Sequence, residues 1–377
     1  MIFSKIANYY ISRRNAAIEQ SRHGRIAYID LIKGILIISV IYRHSVYQAY
    51  GTGLFNNMVD GIKMPAFMCI SFLFFKEYSG FADFSIRKIC KLMIPFIFVA
   101  IFDTIIYLIS HWGGPHLNPI VKQLACITDM PTWFLYALFI CYIEYYIFHS
   151  ITSRFGFVIK LLAAVVVSFI SYFGLTFNNW TTILSNFIHY EIIYCYGFMF
   201  CYIPLLMLPL FVTMQQLRTK DILYREIASK TILIVFIISL IIWVACAQPD
   251  IEIRKLDVGI IPLIFQADVL ALTAILLCIG RAIKWLPVIS YMGRYSIIVF
   301  IVHSLFMSFK ITSSLDISCI TQPLEFFSIN CIVSLFAIPI FRKYLPCLCA
   351  QKDLFTYNAK LRKIQFNNPF SKESKQP

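Results

Sequence analysis

The sequence predicts an all-α integral membrane protein, a polytopic bundle of about ten transmembrane helices. Three observations predict it. Of 377 residues, 59% are hydrophobic and only 14% charged, with a mean hydropathy of +0.75. A soluble chain carries about a quarter charged residues, so too few polar side chains remain here to cover a water-facing surface. The apolar residues form continuous runs close to the roughly 20 residues a helix needs to cross the hydrocarbon core. The basic residues gather between alternate runs. A membrane β-barrel would show short alternating strands instead.

In order, the predicted spans are 27–48, 59–75, 92–111, 131–149, 156–177, 187–213 (broken or tilted at Pro204 and Pro209), 231–247, 258–280, 289–310 and 325–345. They divide the chain into an N-terminal segment 1–25, a membrane domain 26–347 and a basic tail 348–377. No internal repeat stands out. The segment before Arg25 mixes polar and apolar residues without a clean apolar stretch, so the first span is expected to act as its own insertion signal.

The net charge is +14, which invites a nucleic-acid reading, but its placement answers otherwise. Of 33 Lys and Arg, 25 fall in the two tails and toward alternate loops, and 5 fall toward the opposite side (Lys63, Lys122, Arg254, Lys255, Lys310). That asymmetry puts both termini in the cytoplasm, in a multi-pass protein of the cell (inner) membrane with an even number of spans. The expected partner of this charge is the lipid bilayer, not nucleic acid. Trp112, Trp133, Trp180, Trp243 and Trp285 lie near span ends, as interfacial anchors do. Twelve cysteines are scattered, mostly within apolar runs, and form no disulfide framework; only Cys347 and Cys349 sit close together, a spacing most simply read as chance, with palmitoylation or metal binding as the alternative.

The first span carries the chemistry. It reads RIAYIDLIKGILIISVIYRHS, and Asp30, Lys33 and His44 are polar groups in or at the ends of an otherwise apolar helix. Ionisable groups there cost a few kcal/mol each and are by default candidates for function. Eleven residues separate Lys33 from His44. On an α-helix that returns to within about 20° of the same face, ~16 Å along the axis. The alternative is snorkelling of the end residues to the two interfaces.

This segment resembles the first helix of the membrane acyltransferase-3 family, which includes polysaccharide O-acetyltransferases and fucose 4-O-acetylase-like proteins. That family opens with an Asp, a basic residue followed by Gly, and a His eleven residues after the basic one. Here these are Asp30, Lys33-Gly34 and His44. Lys33 stands where many members have Arg, exchanging a planar fork for a point charge. In KMPAFMCISF, Met64, Pro65, Phe67 and Ser71 match the family's second element, with Phe72 in place of Gly. SIRKICKLMIPF is similar to its basic element through Lys88, Lys91, Leu92 and Pro95. PTWFLYALFI resembles the start of span four through Trp133, Phe134 and Leu135, and YMGRYSIIVFIVHSLF the late element through Gly293, Ser296 and His303.

The resemblance implies an acyl-CoA-dependent O-acyltransferase, most simply an acetyltransferase. It would have no permanently bound cofactor and would use acetyl-CoA or another acyl-CoA as donor substrate. The acceptor it implies is a glycan or lipid-linked sugar of a cell-envelope or exported polysaccharide. A polytopic bundle with intramembrane charges also fits a sugar transporter or flippase. For the transferase, Lys33, Arg87, Lys88 and Lys91 are the candidate donor-binding residues, since cations suit the phosphates of acyl-CoA. His44 is the candidate catalytic residue, with Asp30 and Lys33 beside it. A neutral imidazole can take the proton of a sugar hydroxyl as it attacks the thioester, or can itself carry the acyl group. Trp133, Ser296 and His303 are the candidate acceptor-side or supporting residues, and His303 reads equally as a packing histidine.

Overall fold

A computed structural model describes residues 11–12, 14–16, 26–47, 59, 61–110, 133–177, 203–220, 222–246, 262–312, 323–358 and 363–367. The chain is mostly helical. Helix α1 (Ala27–Tyr42) ends in a π-helical turn, Arg43–Tyr47. Then come α2 (Lys63–Phe72) and α3 (Phe81–Lys88), which passes through a second π turn, Ile89–Met93, into α4 (Ile94–Ser110). Helices α5 (Trp133–Ile151), α6 (Phe157–Phe177), α7 (Ile203–Thr219), α8 (Ser229–Cys246) and α9 (Pro262–Ile283) follow. Last are α10 (Pro287–Arg294), α11 (Ser296–Thr312) and α12 (Pro323–Tyr344). A short antiparallel hairpin, β1 (Phe355–Asn358) and β2 (Lys363–Phe366), closes the described chain.

Among the described residues, α5, α8, α9 and α12 are each long and apolar enough to cross a membrane, and the α10–α11 pair makes a fifth if counted as one broken span. Helices α1, α4 and α6 lie at the predicted spans 27–48, 92–111 and 156–177, and α7 at the second half of 187–213. The first half of that span, Trp112, Trp180, Lys122, Arg254, Lys255 and the N-terminal segment up to Arg25, apart from the few positions above, fall outside the described residues. Helix α8 has the outer surface of a lipid-facing element. Only Ser239 and Trp243 are buried in it, while Leu233, Ile234, Ile237, Ile238 and Ile241 are exposed. A row of exposed aliphatic side chains is tolerable in hydrocarbon and a liability in water.

Helix α1 is the hub. It is apolar nearly all round, as a fully surrounded helix is, and it packs against α2, α9, α10, α11 and α12. Its tightest neighbour is α10, and glycines explain the approach. A Cβ at Gly34 would fall on the Ile289 carbonyl, and one at Gly293 would fall on the Asp30 carbonyl and the Gly34 amide. The two backbones therefore touch, the way small residues let helices meet within a membrane. The predicted span 289–310 is not straight: α10 lies against α1, and α10 and α11 meet at 86°. Elsewhere Gln266 of α9 donates to the Ser168 hydroxyl of α6 at 2.7 Å and to the Leu206 carbonyl of α7 at 2.8 Å, tying three helices by one buried amide.

Candidate active site

Near the start of α1, cations gather over aromatic rings. The Lys33 Nζ and the Arg218 guanidinium carbon, from α7, each lie 5.3 Å from the centre of the Phe74 ring. Lys88 Nζ lies 3.4 Å from the centre of the Tyr142 ring. That ring stacks on Phe72 at 4.3 Å, and Phe72 stacks on Phe211 at 3.6 Å. Phe72 is thus the fully buried middle of an aromatic stack that carries Lys88 on its end. A cation over a desolvated ring gains about 2 kcal/mol from the ring quadrupole. Burial first, then the charges of Lys91 and Lys33, push the Lys88 ammonium down to a pKa of about 7. Lys88 and Arg218 make no salt bridge among the described residues, and one Arg218 terminal nitrogen is buried without a hydrogen-bond partner. Cations gathered in this way favour an anion beside them.

Not every predicted donor residue joins this group in the same way. Arg87 Nε pairs with Asp83 at 2.7 Å, and its guanidinium stacks over Tyr78 at 4.8 Å and reaches Asp353 of the tail at 3.9 Å. Burial works against ionising the Asp83 carboxyl, but the Ser79 hydroxyl and Arg87 outweigh it and hold the group below its ordinary range. Arg87 is therefore part of a structural ion pair. Lys91 is exposed, whereas Lys88 is tucked onto Tyr142. The π turn between them turns less per residue than an α-helix, so residues three apart diverge. Arg218 was legible in the sequence only as one of the basic residues that set topology.

The far end of α1 is of a different kind. The π turn presents His44 to α11, where its ring lies 5.2 Å from that of His303, tilted by 38°. His303 is buried at 2% exposure, and its Nδ1 is 2.9 Å from the amide nitrogen of Asn330, which is wholly buried on α12. π turns inside helices recur where a side chain must be re-aimed at a functional site. Sequence reasoning brought His44 and His303 forward separately; the structure puts them together. Asn330 gave no signal in the sequence, being one amide in an apolar run.

The remaining predicted residues have other neighbours. Asp30 sits on α1 with its backbone carbonyl against Gly293. Ser296 is buried at the α10–α11 bend, seven residues or about 10 Å before His303 along the helix. Trp133 opens α5 and packs edge-on against Phe134, which also contacts Phe67 of α2 and Phe300 of α11.

The acyltransferase-3 family, described as an acyltransferase domain, matches residues 26–342. The chain belongs to that family. It is a membrane acyltransferase, with both α1 and the His303 helix inside the matched region. No curated protein and no solved structure matches it.

Proposed function

We propose that this acyltransferase moves an acyl group, in the first instance acetyl, from acyl-CoA to a sugar hydroxyl of a cell-envelope or exported polysaccharide. One observation carries the reading: α1 has cations gathered over aromatic rings near one end and a paired imidazole at the other. The diphosphate and 3′-phosphate of the donor bind among Lys33, Lys88, Lys91 and Arg218, and the pantetheine arm runs along α1 to bring the thioester to His44. There the neutral His44 imidazole takes the hydroxyl proton as the sugar oxygen attacks the thioester carbonyl. The C–O bond forms, the C–S bond breaks, and the imidazolium returns its proton to the departing thiolate. In this reading the cation cluster faces the cytoplasm, where acyl-CoA is made, and the chain crosses about ten times with both termini on that side.

The test is mass spectrometry of surface glycans from cells with and without the gene. The expected result is loss of one acyl mass from a defined sugar with the chain otherwise complete. Unchanged acylation would overturn the reading, and loss of the whole sugar chain would point instead to a flippase.

A further inference from the structure

We propose that Asn330 is a positioning residue that fixes the tautomer of His303, so that His303 serves as a neutral hydrogen-bond donor beside His44 and not as a second base. The proposal rests on the reading of His44 as the catalytic base. Its geometric part stands apart from that reading.

The two ring nitrogens of His303 have different surroundings. His303 Nδ1 is committed to Asn330 at 2.9 Å. With the amide nitrogen facing the ring, Asn330 donates, so Nδ1 is the acceptor and the proton of the neutral ring sits on Nε2. The opposite orientation of the amide would have its oxygen accept from Nδ1–H. The orientation found leaves one buried carbonyl oxygen of Asn330 without a partner. That orientation keeps one amide N–H bonded to the ring, whereas its reverse would leave both N–H groups without that bond, and a buried N–H without a partner is rarer than an under-satisfied carbonyl. Both groups are held rigidly: Asn330 is wholly buried and His303 is 2% exposed, on helices α12 and α11 that pack along each other. The same two helices hold α1, and α12 packs directly on the π turn that carries His44. Three elements thus converge on the imidazole pair, and Nε2 is the polar atom His303 has left to offer.

An N–H donor next to the base is what an acyl transfer requires. As the hydroxyl oxygen attacks, the carbonyl oxygen gains negative charge, and a fixed donor stabilises it without reorganising. A second neutral base at that place would supply a lone pair where a donor is wanted.

Three variants of the full-length protein in detergent test this. Asn330→Asp keeps the shape but replaces the donor with an acceptor, which reverses the tautomer to Nδ1–H. Asn330→Ala removes the constraint, and His303→Gln retains an amide donor. Histidine tautomers are read by NMR on protein labelled at its 7 histidines, with the His303→Gln spectrum assigning the signal. The expected result is Nε2–H in the parent and Nδ1–H in Asn330→Asp. With it, kcat in Asn330→Asp falls about 100-fold, the usual loss on removing one such donor, at little change in KM. Asn330→Ala falls less, and His303→Gln keeps more activity than Asn330→Asp. A parent ring protonated on Nδ1 would overturn the tautomer assignment whatever the activity. A reversed tautomer with full kcat would overturn the donor role while leaving the assignment intact. If His44→Ala retained transfer, the reading of His44 would fail first, and the NMR result would still decide the Asn330 contact.

Discussion

The two ends of α1 differ in how they treat polar groups, and the difference matches the two jobs of a transferase. At the His44 end, polarity takes the form of an imidazole pair, one ring buried and tied to a buried amide. At the Lys33 end it is charged and sits on aromatic faces, with Lys91 still exposed. A proton-transfer site gains from exclusion of water and fixed hydrogen bonds. A site for phosphates needs uncancelled charge that a soluble ligand can reach. On the proposed reading, an apolar helix can serve both if part of the charged end reaches the surface, as Lys91 does, and the imidazole end is buried.

The sharpest way to break this division is His44→Ala. Transfer should fall about 1,000-fold, within the range for removal of a general base, while donor affinity and membrane insertion stay as in the parent. Lys33→Ala should do the converse, raising KM for the donor with a smaller effect on kcat. Steady-state kinetics on purified protein checks both. If the two variants behaved alike, the ends would not be separate sites.

Next in size is a change that should disturb both ends together. The Gly34–Gly293 contact holds α1 against α10 between the two clusters. A methyl at Gly293 meets backbone, not a flexible side chain. Overpacking of this kind costs about 1–3 kcal/mol. Gly293→Ala should therefore lower the melting temperature in detergent and weaken donor binding and turnover in parallel. Gly156→Ala, where an added Cβ meets nothing within 4 Å, is the control and should leave all three unchanged.

How much of this was legible beforehand follows from what each residue does. His44, Lys33 and Gly34 announce themselves because an ionisable group in an apolar run is costly and a motif orders them. The α10–α11 bend was not legible, because a glycine in an apolar stretch does not say which backbone will touch it. The π turn at Ile89–Met93 escaped as well, because a spacing of three reads as one face only on a regular α-helix, and an apolar run does not say where the helix unwinds. Arg218 was hidden by a second explanation, since a basic residue beside a span already satisfies the topology rule. Asn330 was invisible, because its meaning lies wholly in a contact with a helix about 27 residues earlier.

Arg218 and Arg87 sharpen the account of the charged end. Both are arginines close to the cluster, but Arg87 is ion-paired, whereas Arg218 has no ion pair among the described residues. A charge-assisted hydrogen bond contributes about 1.5–3 kcal/mol, so Arg218→Ala should weaken CoA binding about tenfold. Arg87→Ala should change it less than about twofold, the scale of an exposed surface charge. Calorimetric titration with CoA compares them. Lys88→Ala should resemble Arg218→Ala, and Lys91→Ala should have a smaller effect that fades at high salt. Equal effects of Arg87 and Arg218 would remove the distinction drawn from their partners.

The smallest effect expected is also the most specific to Lys88. Its pKa of about 7 is set by burial first and by the Lys91 and Lys33 charges second. A bound anion favours the ammonium form, so the pKa in the complex is higher than in the free protein. Donor affinity is then fully present below pH 7 and declines as pH rises from the free-state value to the bound-state value. Between pH 6.5 and 8.5 the loss should be about fivefold, since one proton linked to binding gives at most about tenfold per pH unit. The donor's own chemistry runs the other way. A phosphate monoester with a second pKa of about 6 becomes more negative as pH rises, which would strengthen binding to a permanently charged site. A decline above pH 7 therefore has to come from the protein. Lys88→Arg, which stays charged throughout, should bind CoA with flat or rising affinity over the same range. Lys91→Ala removes one like charge beside Lys88 and should shift the decline to higher pH, by less than burial shifts it down. Parent protein whose CoA affinity stayed flat or rose from pH 6.5 to 8.5 would take Lys88 out of the donor site.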